Sequence, residues 1–350
     1  MPMNRRIFVL KAEFDQHIDE YMIYCRSRQL RPKTMLSYER TLRLFERWCR
    51  EEMDIDSLDD VTENVIRRYI TDIQQRGKYT FYADESRKAL NTPEHRRDYC
   101  EAVSITTVNN YLRNLKAFFN WLEDQHILLH NPVSKLRLLK NERKAKEYMD
   151  DTEFRKLINS FNKADFPEHR DYAITMLLMD SGMRLGECSC LLVSDVDLLN
   201  RTISLSAEIT KGRKDRTVFF SPKTETILRR WINYKDRYVE SDYLFPMKHN
   251  GKHVTVSTFE RNFRGYLKRV SIKSKYSPHC LRNNFAKRCL MNGMDIYTLS
   301  RILGHSSVTV TEKAYLDLTD DDLRNLILKP IMQKKLLERQ LNTMKMGTSV

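Results

Sequence analysis

Glycine and proline are scarce in this chain, 9 of each in 350 residues, which excludes a collagenous or linker-dominated polymer. Cysteine offers no scaffold either: the 7 present are odd in number and scattered, so no disulfide framework is expected, and the compartment reads as reducing, the cytoplasm. Long apolar runs are missing. The start carries Arg5 and Arg6 before an apolar run of only four residues, Ile7 to Leu10, too short for a signal-peptide core, and nothing later approaches the length that spans a bilayer. Secretion and membrane insertion are not expected. There is no Walker loop and no dinucleotide fingerprint. Cys188-x-Cys190 has no second Cys or His pair at zinc-site spacing, so it reads as buried helix cysteines and not as a metal centre. Internal repeats and low-complexity segments are absent as well.

What the chain has in excess is positive charge. Lys plus Arg number 61 against 47 Asp plus Glu, a formal net charge of +14 and a pI near 9.4, which points to a polyanionic partner, nucleic acid ahead of an acidic membrane surface. Hydrophobic residues, 41% of the chain, suffice for real cores, and the length suits about two domains.

The first 140 residues read as helices. From Ile105 to Gln125, the residues Val108, Tyr111, Leu112, Leu115, Phe118, Phe119 and Leu122 recur at three- and four-residue steps, leaving Asn109, Asn110, Arg113 and Lys116 on the polar face. A helix from Lys33 to about Glu51 buries Leu36, Leu42, Phe45 and Trp48 and displays Arg40, Arg43, Arg47 and Arg50. Shorter helices are expected at 10–28 and 62–76, and the polar, aperiodic residues 77–103 read as a long loop or insertion. After Asn131-Pro132 the chain becomes basic through Lys135, Arg137, Lys140, Arg143, Lys144 and Lys146, a connector suited to lie along a phosphate backbone or to serve as a plain solvated tether. The expected organisation is a helical DNA-binding domain over 8–140, a basic linker over 141–150, a second domain over 151–322 and a tail over 323–350.

In the second domain Asp151 suits an N-cap, and Pro167 suits the first turn of the next helix. From Arg201 to Phe220 the pattern changes to a β-hairpin or small meander, with Ile203, Leu205, Val218, Phe219 and Phe220 flanking a polar tip, Thr210 to Arg216. Helices return at about 222–236, 256–271, 279–291 and 295–303. The fold class expected is mainly α with a small β-sheet in the C-terminal domain. On the helix near 256–271, Arg261, Arg264, Lys268 and Arg269 make a basic face fit for a major groove or for phosphates, or simply a solvated one.

No single motif identifies the chemistry. With 9 His and 61 basic residues in 350, a His three before a base should occur about 1.6 times by chance, and it occurs twice, at His279/Arg282 and His249/Lys252. An ordered set carries more. Ser181-Gly182-Met183-Arg184-Leu185-Gly186-Glu187 comes first, then Lys211 at the hairpin tip, then Pro278-His279-Cys280-Leu281-Arg282, then Leu303-Gly304-His305, and ten residues after His305 stands Tyr315. This resembles the tyrosine recombinase or phage integrase family, whose signature is an Arg in a Thr-Gly-x-Arg-x-x-Glu turn, a hairpin Lys, His-x-x-Arg, Leu-Gly-His and a nucleophilic Tyr nine or ten residues on. All six positions are matched in order over most of residues 150–320. Three departures are Ser181 where Thr is usual, Cys188 where an aliphatic follows Glu187, and Asn283-Asn284 where His-Thr is common; none touches a position carrying catalysis.

The resemblance implies a two-domain recombinase that cuts DNA through a 3′-phosphotyrosine on Tyr315, with no cofactor, metal or ATP. The residue types agree with that chemistry. A phosphodiester needs fixed cations as its non-bridging oxygens gain charge in the transition state, and the planar, bidentate guanidinium groups of Arg184 and Arg282 suit that task. Tyr315 would be the nucleophile, His279 the general base, Lys211 the acid for the leaving 5′-oxygen with Lys214 as fallback, and His305 a donor to a phosphate oxygen. DNA contacts are expected from Arg40, Arg43, Arg47, Arg113, Lys116, Lys140, Arg143, Lys144, Arg261, Arg264 and Lys268. The expected partner is double-stranded DNA bearing a specific recombination site, bound by a homo-oligomer, a dimer per site and a tetramer in synapsis. A type IB topoisomerase and a catalytically idle DNA-binding accessory protein are the alternatives. No arm-binding domain of the lambda-integrase type is expected ahead of the helices, which favours a simple Xer-like or transposon-type organisation. Past Tyr315, Leu323, Leu326, Ile327, Ile331, Met332, Leu336, Leu337 and Leu341 form an apolar stripe broken by Pro330, to be covered by its own domain or by a neighbouring copy.

Overall fold

The apolar spacings of the first 140 residues become helices whose inner faces share one core. The computed structural model describes residues 3–82, 92–141, 148–210, 212–272, 276–305 and 307–315, in two compact units divided between residues 143 and 144. The first unit holds α1 (Met3–Ser27), α2 (Pro32–Met53), α3 (Glu63–Arg76) and α4 (Ile105–Asp124). Pro32 opens α2 where its missing N–H does no harm, and the hydroxyls of Thr62 and Ser104 cap α3 and α4. Ile18, Leu42, Phe45, Tyr69, Phe118 and Phe119 are buried together, Phe45 meeting Tyr69 edge to face at 4.9 Å. Leu36 was expected inside and is exposed. It stands nine residues, about two and a half turns, before Phe45, and so on the opposite side of α2.

Two asparagines of α4 are buried, Asn114 and, against its expected place on the polar face, Asn109. Asn114 donates to the Ser37 carbonyl and to the Thr41 hydroxyl, tying α4 to α2. Asn109 holds Leu139 by both backbone groups, at 2.9 and 2.8 Å, and Val133 and Leu136 join the same core. The basic stretch after Asn131 therefore belongs to the first unit as far as Leu139. The segment read as an insertion is clipped at its base, where the Lys78 N–H donates to the Glu101 carbonyl and the Cys100 N–H to the Lys78 carbonyl.

The second unit contains α5 (Asp151–Asn159), α6 (Phe166–Ser181), α7 (Leu185–Ser189), β1 (Val196–Asp197), β2 (Thr202–Leu205), β3 (Arg216–Phe219), α8 (Pro222–Lys235), α9 (Val256–Arg269), α10 (His279–Met291), α11 (Ile296–Leu303) and α12 (Val308–Tyr315). Asp150, not Asp151, caps α5, because Glu153 lies three residues on and closes the capping box. The strands form an antiparallel meander with Val196 opposite Ile203 and Ile203 opposite Val218; β1 is the strand that the sequence pattern did not indicate. Helix α6 is buried on every side from Arg170 to Met179 and runs through the core, where Ile174, Leu177 and Leu178 are buried with Trp231, Phe259, Phe263, Ile203 and Val218. Asn284 holds Met149 by both backbone groups, so the unusual Asn at that position anchors the entry to the unit. The architecture is mainly helical with one small sheet in the second unit, as expected. Among the described residues no helix is long and apolar enough to cross a membrane, and no group of three or more His, Cys, Asp or Glu is placed to hold a metal ion. Cys188 is buried and Cys190 half-buried.

Candidate active site

Two helix C-termini build the site. Helix α6 ends at Gly182, whose φ of +65° is the left-handed conformation that a helix stop uses, with its N–H donating to the Leu178 carbonyl at 3.1 Å. The Phe285 ring occupies the space of any Cβ there, only 2.2 Å from where that atom would stand. Ser181, in the place usually held by Thr, keeps the hydroxyl contacts: it donates to the Leu177 carbonyl and accepts from the Met183 N–H. The turn delivers Arg184 in extended conformation to the start of α7, where its backbone N–H donates to Glu187 at 2.9 Å.

Helix α11 ends on Leu303-Gly304-His305 in a Schellman motif. Gly304, at φ +63°, donates to the Arg301 carbonyl, and the His305 N–H reaches the Ser300 carbonyl at 3.1 Å. Carbonyls freed by the two helix ends accept from both arginines. Arg184 Nη2 donates to the Gly304 carbonyl at 3.1 Å, while Arg282 Nη1 donates to the Gly182 carbonyl at 2.7 Å and its Nη2 to the Leu303 carbonyl at 2.8 Å. The negative ends of helix dipoles favour these cations. Arg282 Nη2 also lies 2.9 Å from His305 Nε2, and His305 Nδ1 lies 2.7 Å from Thr311 Oγ1. Arg184, Arg282 and His305, far apart in sequence, are thus joined through one turn.

Beneath Arg184 lies a buried carboxylate. Glu187 is 2% exposed and accepts from Arg184 Nη1 at 2.9 Å and from Arg216 Nη1 at 3.1 Å. Burial pushes its carboxyl up, but the hydrogen bonds from Arg216 and the Arg184 N–H, the charge of Arg216 and the hydrogen bond from the Arg184 side chain outweigh burial and hold it below the usual range. Arg216 Nε is buried without a partner, and the guanidinium packs directly on Gly304. Glu187, Arg216 and Thr311 were not among the expected site residues. Arg216 carried a readable signal, since it stands two residues before Val218, on the same inward face of β3, a position unusual for a charge.

The remaining expected residues are placed unevenly. His279 is exposed at the first position of α10, one turn before Arg282 and on the same face. Tyr315 is the last residue of α12, one turn after Thr311. Lys211 lies outside the described residues; Lys214 is exposed, its backbone N–H and carbonyl both bonded to the Thr210 hydroxyl, which closes the hairpin tip. Among expected DNA contacts, Arg40, Arg113 and Lys140 are exposed and Lys116 is half-buried. Arg43 pairs with Asp15, Asp19 and Glu39, and Arg47 pairs with Glu51 and donates to the Tyr82 carbonyl. These two hold α2 to its surroundings. Arg143 and Lys144 lie outside the described residues. Arg261, Arg264 and Lys268 are all exposed and share one face of α9, opposite buried Phe259, Phe263 and Leu267.

Residues 147–322 match the family model described as the phage integrase family, and residues 18–91 match that of the phage integrase N-terminal SAM-like domain. The chain belongs to the phage integrase family. It is a tyrosine-type site-specific DNA recombinase, an enzyme of strand breakage and rejoining. This recombinase is 28% identical over 280 residues to a tyrosine recombinase of Thermosipho africanus, covering 77% of this chain and 93% of that one. It is 29% identical over 292 residues to the tyrosine recombinase XerA of Saccharolobus solfataricus, covering 83% and 86%. The Tn1549 transposon integrase in complex with circular intermediate DNA shares the fold, with a TM-score of 0.65 over 88% of this chain and 97% of that one, at 20% identity. These relatives favour recombination over strand relaxation or idle DNA binding.

Proposed function

We propose that the recombinase acts on double-stranded DNA carrying a specific site and cleaves it through a 3′-phosphotyrosine on Tyr315. The phenol, with an ordinary pKa of about 10, gives its proton to His279 as the oxygen attacks phosphorus. The bond from phosphorus to the 5′-oxygen breaks, and Lys211 protonates the leaving oxygen. Arg184 and Arg282 stabilise the charge gathering on the non-bridging oxygens, and His305 donates to one of them. The phosphotyrosine conserves the energy of the broken bond, so a 5′-hydroxyl of a second strand reverses the step without ATP, and the arginines supply the charge neutralisation without a metal. What supports this reading most is the convergence of Arg184 on the Gly304 carbonyl and of Arg282 on the Leu303 carbonyl and His305 Nε2.

The working form on this reading is a dimer per site and a tetramer in synapsis, in the cytoplasm, with residues 8–140 as the DNA-binding domain, 141–150 as linker, 151–322 as catalytic domain and 323–350 as docking tail. The basic face of α9 and the exposed cations Arg40, Arg113 and Lys140 contribute phosphate contacts. A nicked suicide DNA, resolved by denaturing electrophoresis, tests the scheme. Wild type should form a covalent adduct, and Tyr315→Phe should bind the DNA equally well and form none; an adduct with Tyr315→Phe overturns the assignment. Strand exchange between two sites, as opposed to relaxation by a monomer, checks the synaptic assembly.

A further inference from the structure

Thr311 has no role in the scheme above, yet it is wholly buried and its Oγ1 stands 2.7 Å from His305 Nδ1. A guanidinium only donates hydrogen bonds. The contact of Arg282 Nη2 with His305 Nε2 at 2.9 Å therefore makes Nε2 the lone-pair nitrogen, puts the ring proton on Nδ1, and makes Thr311 Oγ1 its acceptor. To donate from Nε2 to a phosphate oxygen, His305 needs the opposite tautomer, in which Nδ1 is an acceptor and requires a donor. A hydroxyl can serve both states by rotating its hydrogen.

We infer that Thr311 is a positioning residue: its hydroxyl accepts from His305 in the DNA-free tautomer and donates to it in the DNA-bound one, and it does so from the helix that carries Tyr315. The inference rests on the reading of His305 and Tyr315 given above. In the exchange Nδ1 releases its proton to solvent and Nε2 takes one up, so the ring stays neutral and the hydroxyl keeps its own hydrogen. Arg282 Nη2, no longer bonded to Nε2, turns the same N–H to the phosphate. Because Thr311 stands one helical turn before Tyr315, the bond that sets the tautomer also fixes the backbone leading to the nucleophile.

Thr311→Val keeps the shape and removes the hydroxyl, while Thr311→Ser keeps the hydroxyl. Single-turnover cleavage of the suicide DNA should fall at least about 10-fold in Thr311→Val and stay within about threefold of wild type in Thr311→Ser, with DNA affinity unchanged in both. Nitrogen-15 NMR of ring-labelled histidine, with His305 assigned by comparison with His305→Asn, reads the tautomer directly. Wild-type ring nitrogens should show the Nδ1–H form without DNA. In a Tyr315→Phe background, intact site DNA should bring the Nε2–H form, and Thr311→Val should abolish that change. Wild-type cleavage by Thr311→Val, or a His305 tautomer that does not change with DNA, overturns the inference. The comparison of His305 tautomers with and without DNA stands even where Thr311→Val fails to fold, since that part needs no Thr311 variant, and Thr311→Ser still reads the hydroxyl's part. Adduct formation by Tyr315→Phe would instead overturn the site reading itself, a distinct result.

Discussion

Replacing Gly304 with alanine tests whether the Leu-Gly-His turn is held from below as well as by its own backbone. At φ +63° an L side chain costs about 1–2 kcal/mol. A Cβ would also stand 2.9 Å from Arg216 Nε and 3.0 Å from its Cδ and Cζ. The Arg216 guanidinium cannot swing aside without leaving the Glu187 carboxylate, so overpacking adds about 1–3 kcal/mol. The sum, about 2–5 kcal/mol, should lower the melting midpoint of the second unit by roughly 4–20 °C at about 2–4 °C per kcal/mol. Gly293 is the matched control: its φ is +86° but nothing lies within 4 Å of its missing Cβ, so Gly293→Ala should show only the backbone cost of about 1–2 kcal/mol. Thermal unfolding of the full chain followed by circular dichroism gives both values. On an Arg216→Ala background the overpacking part of the Gly304→Ala effect should vanish, a non-additivity readable in a double-mutant cycle. Suicide-DNA cleavage should also drop in Gly304→Ala, because pressure on Arg216 moves Glu187 and with it Arg184. Equal destabilisation by the two glycine substitutions, with full cleavage by Gly304→Ala, would show that Arg216 yields freely and that the network is not rigid.

If Lys211 protonates the 5′-oxygen, a 5′-bridging phosphorothioate, whose thiolate leaves without a proton, should rescue Lys211→Ala; rescue of Lys214→Ala in its place would transfer the role. Acid should unfold the second unit early. Glu187 is held below its ordinary value of 4.5, so the folded state binds its proton less readily than the unfolded one, and the stabilisation is complete above about pH 4.5 and lost as pH falls toward the folded value. Glu168, held low first by its bond from Arg269, acts in the same direction. Glu187→Gln should therefore flatten the fall of the melting temperature below about pH 4.5, and an unchanged slope would show that Glu187 does not contribute.

Much of the fold was legible because burial here follows helical period. The run from Val108 to Leu122 and the run from Phe259 to Leu267 each put their apolar residues on one face, and each became a helix with that face in a core. Where the reading failed, a polar group had found a specific partner. Asn109 looked solvent-facing because nothing in its own helix shows that Leu139, thirty residues on, needs both backbone groups satisfied. The basic stretch after Asn131 looked like a tether because Val133 and Leu136 are too few to show a period, although two buried side chains suffice to bind it to the first unit. Strand β1, with two residues, is shorter than any alternation that could reveal it.

The site was legible as a set of residues but not as a network, and the reason is physical. Arg184, His279, Arg282 and His305 stand out because they are charged or titratable side chains that sit in recognisable local words. The groups that hold them are backbone carbonyls, which every residue possesses and no sequence distinguishes. Those carbonyls are unpaired only because Gly182 and Gly304 stop their helices in left-handed conformation, so the two glycines are as much a part of the network as the arginines they hold. The same logic locates Arg216. A charge at an inward strand position must be compensated, the nearest buried carboxylate is Glu187, and Glu187 is the third residue after Arg184. The strand that leaves the Lys211 hairpin is thereby bonded to the turn that presents Arg184, and a displacement of one is felt by the other.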